Sequence, residues 1–243
     1  MNLWSDIGLR LLGAAVSVAL MWQFSYTHLL LPKKPSVMRL LVVLPFFAIA
    51  INNFPFLSVI MGDASLQGAT AGGYASYALF CLAVGLFEEL AFRGCVFTIA
   101  LEQTKKLSSA PLRVLVASVI SSAVFGLVHL TNLFAGASVG ATLLQVSYSF
   151  LIGGMCSIML VKTQNVFFCV LCHAIYNFAG GIVPELGSGT LWTAPTVILT
   201  AVVAVAVAMY AFVLLFRIQP EEIDKTLKGK RAVQATEEPN GNV

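Results

Sequence analysis

Charge is what this sequence has least of. Only 10% of its 243 residues are charged and 58% are hydrophobic, whereas an ordinary soluble protein is about 25% charged. A water-facing globular surface is therefore excluded. Histidine is scarcer still, with three in the chain, and no His-Glu-x-x-His run fixes a metal on one helix. The five cysteines, Cys81, Cys95, Cys156, Cys169 and Cys172, all fall in apolar stretches, where a thiol acts as a small apolar side chain. No disulfide framework is indicated. Internal repeats and the paired broken helices of many transporters are missing too. The formal net charge of +3 reflects membrane topology rather than a nucleic-acid footprint, so no nucleic-acid partner is expected. The sequence ends Asn240-Gly241-Asn242-Val243 without a Cys four from the end, so the chain is not expected to be a prenylation target itself.

What the sequence does have is apolar runs of membrane-crossing length, about 20 residues each. Seven are visible: Ile7 to Leu31, Leu40 to Met61, Tyr74 to Leu101, Leu112 to Leu133, Val139 to Val161, Val166 to Ile182 and Leu191 to Ile218. They predict an all-α integral membrane protein, a polytopic bundle of about seven transmembrane helices whose main partner is the lipid bilayer. The bundle is expected over residues 1–218, with its functional core at about 74–182 and a polar, disordered tail over 219–243. The first run follows the general look of a signal peptide, but it is too long for a cleaved one and is kept as part of the bundle.

Twelve of the fourteen basic residues, including Lys33, Lys34, Arg39, Lys105, Lys106, Arg113, Lys162 and Arg217, fall in alternate connections or in the tail. The positive-inside rule makes that side cytoplasmic. The expectation is a multi-pass protein of the cell membrane, with its N-terminus outside and its C-terminus in the cytoplasm.

A charged side chain at mid-membrane costs roughly 2.5 to 3.5 kcal/mol on insertion scales and normally has a partner or a task. The third run holds three, in Leu86-Phe87-Glu88-Glu89-Leu90-Ala91-Phe92-Arg93-Gly94. Glu89 and Arg93 are four apart with the acid first, about 40° apart around a helix, and should pair. Glu88 points about 100° away from Glu89 and must look to another helix. Two runs offer partners. The fourth carries Phe125-Gly126-Leu127-Val128-His129, with Gly126 allowing close helix approach, and the sixth carries His173-Ala174-Ile175-Tyr176-Asn177. His28, near the end of the first run, reads as an interfacial residue with no chemical role.

Such a group suits hydrolysis. A carboxylate among apolar helices takes up protons more readily than one in water, so Glu88 can serve as a base near neutral pH. Imidazole and the Asn177 amide can hydrogen-bond the oxyanion that forms on an attacked carbonyl. Two histidines and a carboxylate also match the ligand set of a catalytic zinc. Spacing leaves both readings open.

The ordered set Glu-Glu-x-x-x-Arg, Phe-x-x-x-His and His-x-x-x-Asn, each on its own membrane helix, resembles the CPBP family. These are the CAAX-protease and bacteriocin-processing intramembrane peptidases, also called Abi. The resemblance covers about Leu86 to Asn177. It implies that Glu88 is the catalytic glutamate, that His173 orients or activates the water, and that His129 and Asn177 bind the oxyanion. Glu89 and Arg93 match supporting positions. Members have been described both as metallopeptidases and as glutamate peptidases, so the resemblance leaves the cofactor open. A zinc enzyme would use Glu88, His129 and His173, while the absence of a compact ligand motif favours a metal-independent mechanism. The implied substrates are membrane-associated peptides or proteins: prenylated CAAX proteins, or bacteriocin and pheromone precursors.

Other readings compete with an enzyme. The same fold could serve as a non-catalytic membrane scaffold or bacteriocin-immunity factor, and intramembrane carboxylates and histidines also build ion- or proton-coupled transporters. A polar clasp holding three helices together is the simplest reading without function. Cys169-Val170-Leu171-Cys172-His173 spells a haem-attachment site. Its place in an apolar run argues against that reading.

Overall fold

The computed structural model describes residues 2–31, 37–67 and 69–228. Five of its long helices begin where the sequence supplies a side chain to cap free backbone N–H groups. Helix α1 (Leu3–Gln23) starts at Asn2, whose side chain accepts from the Trp4 N–H. After α2 (Val37–Asn52) and the short α3 (Phe56–Ile60), α4 (Ala71–Glu89) starts at Thr70. A π-helical stretch, Leu90–Phe97, then leads without a break into α5 (Thr98–Gln103). Ser109 caps α6 (Ala110–Val128), Ser138 caps α7 (Val139–Thr163) and Asn165 caps α8 (Val166–Leu186). Helix α9 (Ala194–Phe216) and a short α10 (Pro220–Thr226) complete the order. Strands β1 (Ala64–Ser65) and β2 (Ser188–Gly189) pair antiparallel, Ala64 opposite Gly189.

The chain is a polytopic helical membrane protein. Among the described residues five helices are long and apolar enough to cross a bilayer: Leu3–Gln23, Ala110–Leu133, Val139–Thr163, Val166–Leu186 and Ala194–Phe216. The two remaining apolar runs take different forms. The run Leu40 to Met61 breaks into α2 and α3 because Pro55 has no N–H and disfavours helix in the residue before it. The run Tyr74 to Leu101 lies within the continuous α4, π-helical and α5 segment. At the end of the first run, Ser25 at φ 62 turns the chain out of α1 before Leu31.

Burial separates the centre of the bundle from its edge. Fifty-six per cent of the apolar window of α7 is inside the protein, against 6% for α9. Helices α7 and α8 are therefore the axis around which the others pack. Close approach is written in glycine. A Cβ on Gly85 of α4 would lie 2.9 Å from the Val170 carbonyl oxygen of α8, so these two backbones touch only because position 85 has no side chain. Gly126 does the same for α6 against α7, where a Cβ would stand 3.0 Å from the Val146 oxygen.

The basic ends of the helices gather on one face. Tyr26 donates to Glu102 at 2.8 Å, and Lys162 donates to the Arg217 carbonyl at 3.1 Å and to Glu222 at 2.8 Å. Lys33, Lys34, Lys230 and Arg231 lie outside the described residues.

The first part of the tail is not disordered. Pro220 opens α10, Gln219 and Glu222 form a reciprocal capping box, and Ile223 is fully buried. The charges of this segment suggest a solvated tail, yet one apolar residue, a cap and the Lys162–Glu222 ion pair dock it on the bundle. His28 joins the same dock, its Nε2 lying 3.0 Å from the Thr226 carbonyl oxygen. It has a structural partner, where the sequence suggests only an interfacial position.

Candidate active site

The site begins where α4 changes its winding. Glu88 and Glu89 are the last two residues of α4, and the wider π-helical turns start at Leu90. Such turns are rare and concentrate at functional positions. Glu89 and Arg93 still meet across them: Arg93 NH1 lies 3.0 Å from Glu89 Oε1, and both side chains are fully buried.

Arg93 is held from several sides. Its guanidinium carbon stands 4.4 Å over the ring of Phe125, a cation–π contact from α6. Gly153 of α7 supplies the room, since a Cβ there would come within 2.7 Å of Arg93 NH2 and 2.6 Å of Ser122 Oγ. Phe125 lies against Phe92 as well, ring centroids 4.9 Å apart.

The sixth apolar run brings His173 to this pair. Its Nδ1 lies 2.7 Å from Glu89 Oε1, and its Nε2 lies 3.4 Å from Glu88 Oε2. One imidazole thus spans two neighbouring carboxylates. Glu89 Oε1 can accept from Nδ1–H, and the tautomer of the ring sets what Nε2 offers to Glu88. The two acids differ in access: the Glu89 side chain is 0% exposed and that of Glu88 17%.

His129 begins a 3₁₀ turn, His129–Leu133, at the end of α6 away from Arg113. Its ring is 5.2 Å from that of Phe125, edge to face, and the His173 ring is 5.8 Å from the same phenyl. Phe125 is therefore a shared wall between the two histidines. Asn177 lies one turn beyond His173, and its backbone carbonyl accepts from the Tyr77 hydroxyl at 3.3 Å. Among the described residues neither the His129 nor the Asn177 side chain hydrogen-bonds to protein, and both are half-buried. The structure thus joins Glu88, Glu89, Arg93 and His173 by polar contacts and sets His129 and Asn177 beside them with free polar atoms.

Donor geometry bears on zinc. Among the described residues, three donor atoms lie within 4.8 Å of one another at Glu89, Cys156 and Cys169. Glu88, His129 and His173 do not form such a group in this arrangement. The thiols of the Cys-x-x-Cys-His run are turned away from each other: Cys169 Sγ donates to the Cys156 carbonyl at 3.2 Å, and Cys172 Sγ to the Phe46 carbonyl at 3.4 Å.

Beside the cluster, a cavity of about 430 Å³ opens between α2, α6, α7 and α9. Its wall toward the site includes Tyr148 and Tyr176, whose rings lie 5.9 Å apart.

Residues 70–179 match the family model described as Type II CAAX prenyl endopeptidase Rce1-like. That segment contains all three motifs. The match spans a little under half of the chain, and over these residues the core is similar to the CAAX-protease (CPBP) family. No curated protein and no solved structure matches the chain. The matched segment runs from the cap of α4 into α8, so it contains every polar contact of the cluster. Helices α1, α2 and α9 lie outside it.

Two features of the cluster escape sequence reading. One is the double use of Glu89 by Arg93 and His173, which depends on how α8 lies against α4. Gly85, opposite Val170 and Ala174, is the one local signal of that contact. The other is the convergence of Cys156 and Cys169 on Glu89, because the two cysteines lie on different helices.

Proposed function

We propose that this protein is an intramembrane endopeptidase that hydrolyses a peptide bond in a membrane-associated peptide or protein by direct attack of water. The observation that carries the reading is the single imidazole spanning two carboxylates of unequal access. The family match over residues 70–179 supports a CAAX-type protease; the roles below come from the geometry.

A water placed within hydrogen-bond reach of both Glu88 and His173 Nε2 would be the nucleophile. As its oxygen attacks the carbonyl carbon, Glu88 takes one of its protons. The oxyanion is met by hydrogen bonds from His129 and Asn177, the two half-buried side chains with free polar atoms. When the C–N bond breaks, Glu88 returns the proton to the departing amine, and the products are a carboxylic acid and an amine. Glu89 and Arg93 position His173 and touch no substrate. No acyl-enzyme is formed.

The cavity beside Tyr148 and Tyr176 offers apolar space for a lipid-bearing or apolar part of the substrate. Prenylated CAAX peptides and bacteriocin or pheromone precursors are the substrate classes to try. The basic face is assigned to the cytoplasm, which fusions of a reporter at Gly229 and Asn2 would check.

The test is cleavage by the purified chain, in detergent or bilayer, of a panel of these peptides, with Glu88→Gln as control. Product from the wild type and none from Glu88→Gln is expected, and metal-stripped protein should retain full activity. Equal cleavage by Glu88→Gln would overturn the assignment of the base. Loss of activity on metal stripping in protein that still melts like the wild type, restored by zinc also in a Cys156→Ser variant, would overturn the metal-free mechanism.

A further inference from the structure

Glu89 has one oxygen to spare. Its Oε1 serves both Arg93 and His173, while Oε2 has no partner although the residue is fully buried. A buried carboxylate oxygen without a hydrogen bond is costly and calls for an explanation. Two thiols stand next to this carboxylate. Cys156 of α7 and Cys169 of α8 are both 0% exposed, and their sulfurs and a Glu89 oxygen lie within 4.8 Å of one another.

We propose that Glu89, Cys156 and Cys169 form a binding site for a thiophilic divalent ion of the zinc group. Zinc takes sulfur at about 2.3 Å and carboxylate oxygen at about 2.0 to 2.2 Å, so tetrahedral ligands stand roughly 3.5 to 3.8 Å apart. The side chains need to close by on the order of 1 Å. Thiolates are soft ligands and select such ions over magnesium or calcium.

Charge favours the divalent class. Without an ion, the Glu89 carboxylate and the Arg93 guanidinium cancel and the two thiols are neutral. Binding one M²⁺ releases the two S–H protons, so the net charge of the buried cluster is the same before and after. This exchange suits a site inside a membrane, where uncompensated charge is strongly disfavoured. A monovalent ion with the same three ligands would leave the cluster with one excess negative charge.

The other three cysteines provide internal controls. Cys172 donates to the Phe46 carbonyl and Cys95 to the Ser17 carbonyl at 3.6 Å, and Cys81 is outside the cluster. The site shares Glu89 with the cluster that positions His173, but it leaves out Glu88 and its test does not depend on the peptidase reading.

The probe is Cd²⁺, titrated into the full-length reduced protein in detergent and followed by the ultraviolet sulfur-to-cadmium charge-transfer band, with bound metal counted after gel filtration. One Cd²⁺ per chain is expected, with about two protons released. The band should persist in His129→Ala, in Glu88→Gln and in the combined Cys81→Ser, Cys95→Ser, Cys172→Ser variant. In Cys156→Ser or Cys169→Ser, affinity should fall at least about tenfold for loss of one thiolate ligand. Alkylation mapping of the wild type guards against misfolded variants: Cd²⁺ should protect Cys156 and Cys169 and leave the other three cysteines as reactive as before. No band, protection of other cysteines, or cadmium binding that follows His129 instead of the two thiols would overturn the proposal.

Discussion

Glu88 and Glu89 are adjacent in sequence and share His173, yet they differ in burial and in ion pairing. Glu89 is sealed among α4, α6, α7 and α8, paired with Arg93 and bonded to His173, and has no exposed surface. Glu88, about 100° round the helix, reaches His173 at 3.4 Å and keeps 17% of its side chain exposed. One acid is built into the frame and the other is left open to a small molecule. On the proposed reading a single peptide step divides support from chemistry, and the same division runs through the whole cluster. Arg93 and Gly153 belong to the sealed half, His129 and Asn177 to the open half.

Changes in the sealed half should act on folding. Arg93→Met leaves the Glu89 charge buried beside one imidazole, and breaking a buried pair in this way costs about 3 to 5 kcal/mol. The expected outcome is a large drop in folded protein, measured by gel filtration and thermal unfolding in detergent. Normal abundance and normal melting would show that the ion pair does not hold the frame. Changes in the open half should act on turnover alone. For Asn177→Ala, loss of one oxyanion donor corresponds to about 10² to 10³ in kcat, with an unchanged melting temperature. If melting fell and turnover per folded molecule held, Asn177 would belong to the frame.

Smaller effects sharpen the boundary. Gly153→Ala puts a methyl within 2.7 Å of Arg93 NH2 and 2.6 Å of Ser122 Oγ, and overpacking of this kind costs about 1 to 3 kcal/mol. It should lower thermal stability and spare turnover per folded molecule. Cys172→Ala should change least. Its thiol faces the Phe46 carbonyl and not the His173 ring, so both activity and resistance to thiol-directed inhibitors are expected to match the wild type. Inactive but folded Cys172→Ala protein would mean that the thiol is the nucleophile, contrary to direct attack by water.

Local spacing carried part of this arrangement. The Glu89–Arg93 pair follows from an i,i+4 relation, which survives the change to π-helical winding because the two residues remain about one turn apart. The search of Glu88 for a partner on another helix follows from its angle, and His173 is that partner. The polytopic helical class follows from apolar run lengths. Tertiary contacts were less accessible. Nothing in Leu90-Ala91-Phe92-Arg93 announces a π-helical turn, since its apolar pattern fits ordinary helix equally well. The dock of α10 rests on one buried residue, Ile223, within a charged segment whose average composition reads as tail. His28 gains its role only from that dock, and Cys156 meets Cys169 only because α7 and α8 turn back on each other at Gln164–Asn165.

The most direct measurement of the division between the two acids is activity per folded molecule for Glu88→Gln and Glu89→Gln, purified side by side with melting temperature recorded for each. Glu88→Gln should melt like the wild type and lose about 10² to 10⁴ in rate, the range for removing a general base. Glu89→Gln should be recovered in low yield and melt early. Two variants alike in both readings, or a folded and fully active Glu88→Gln protein, would contradict the account.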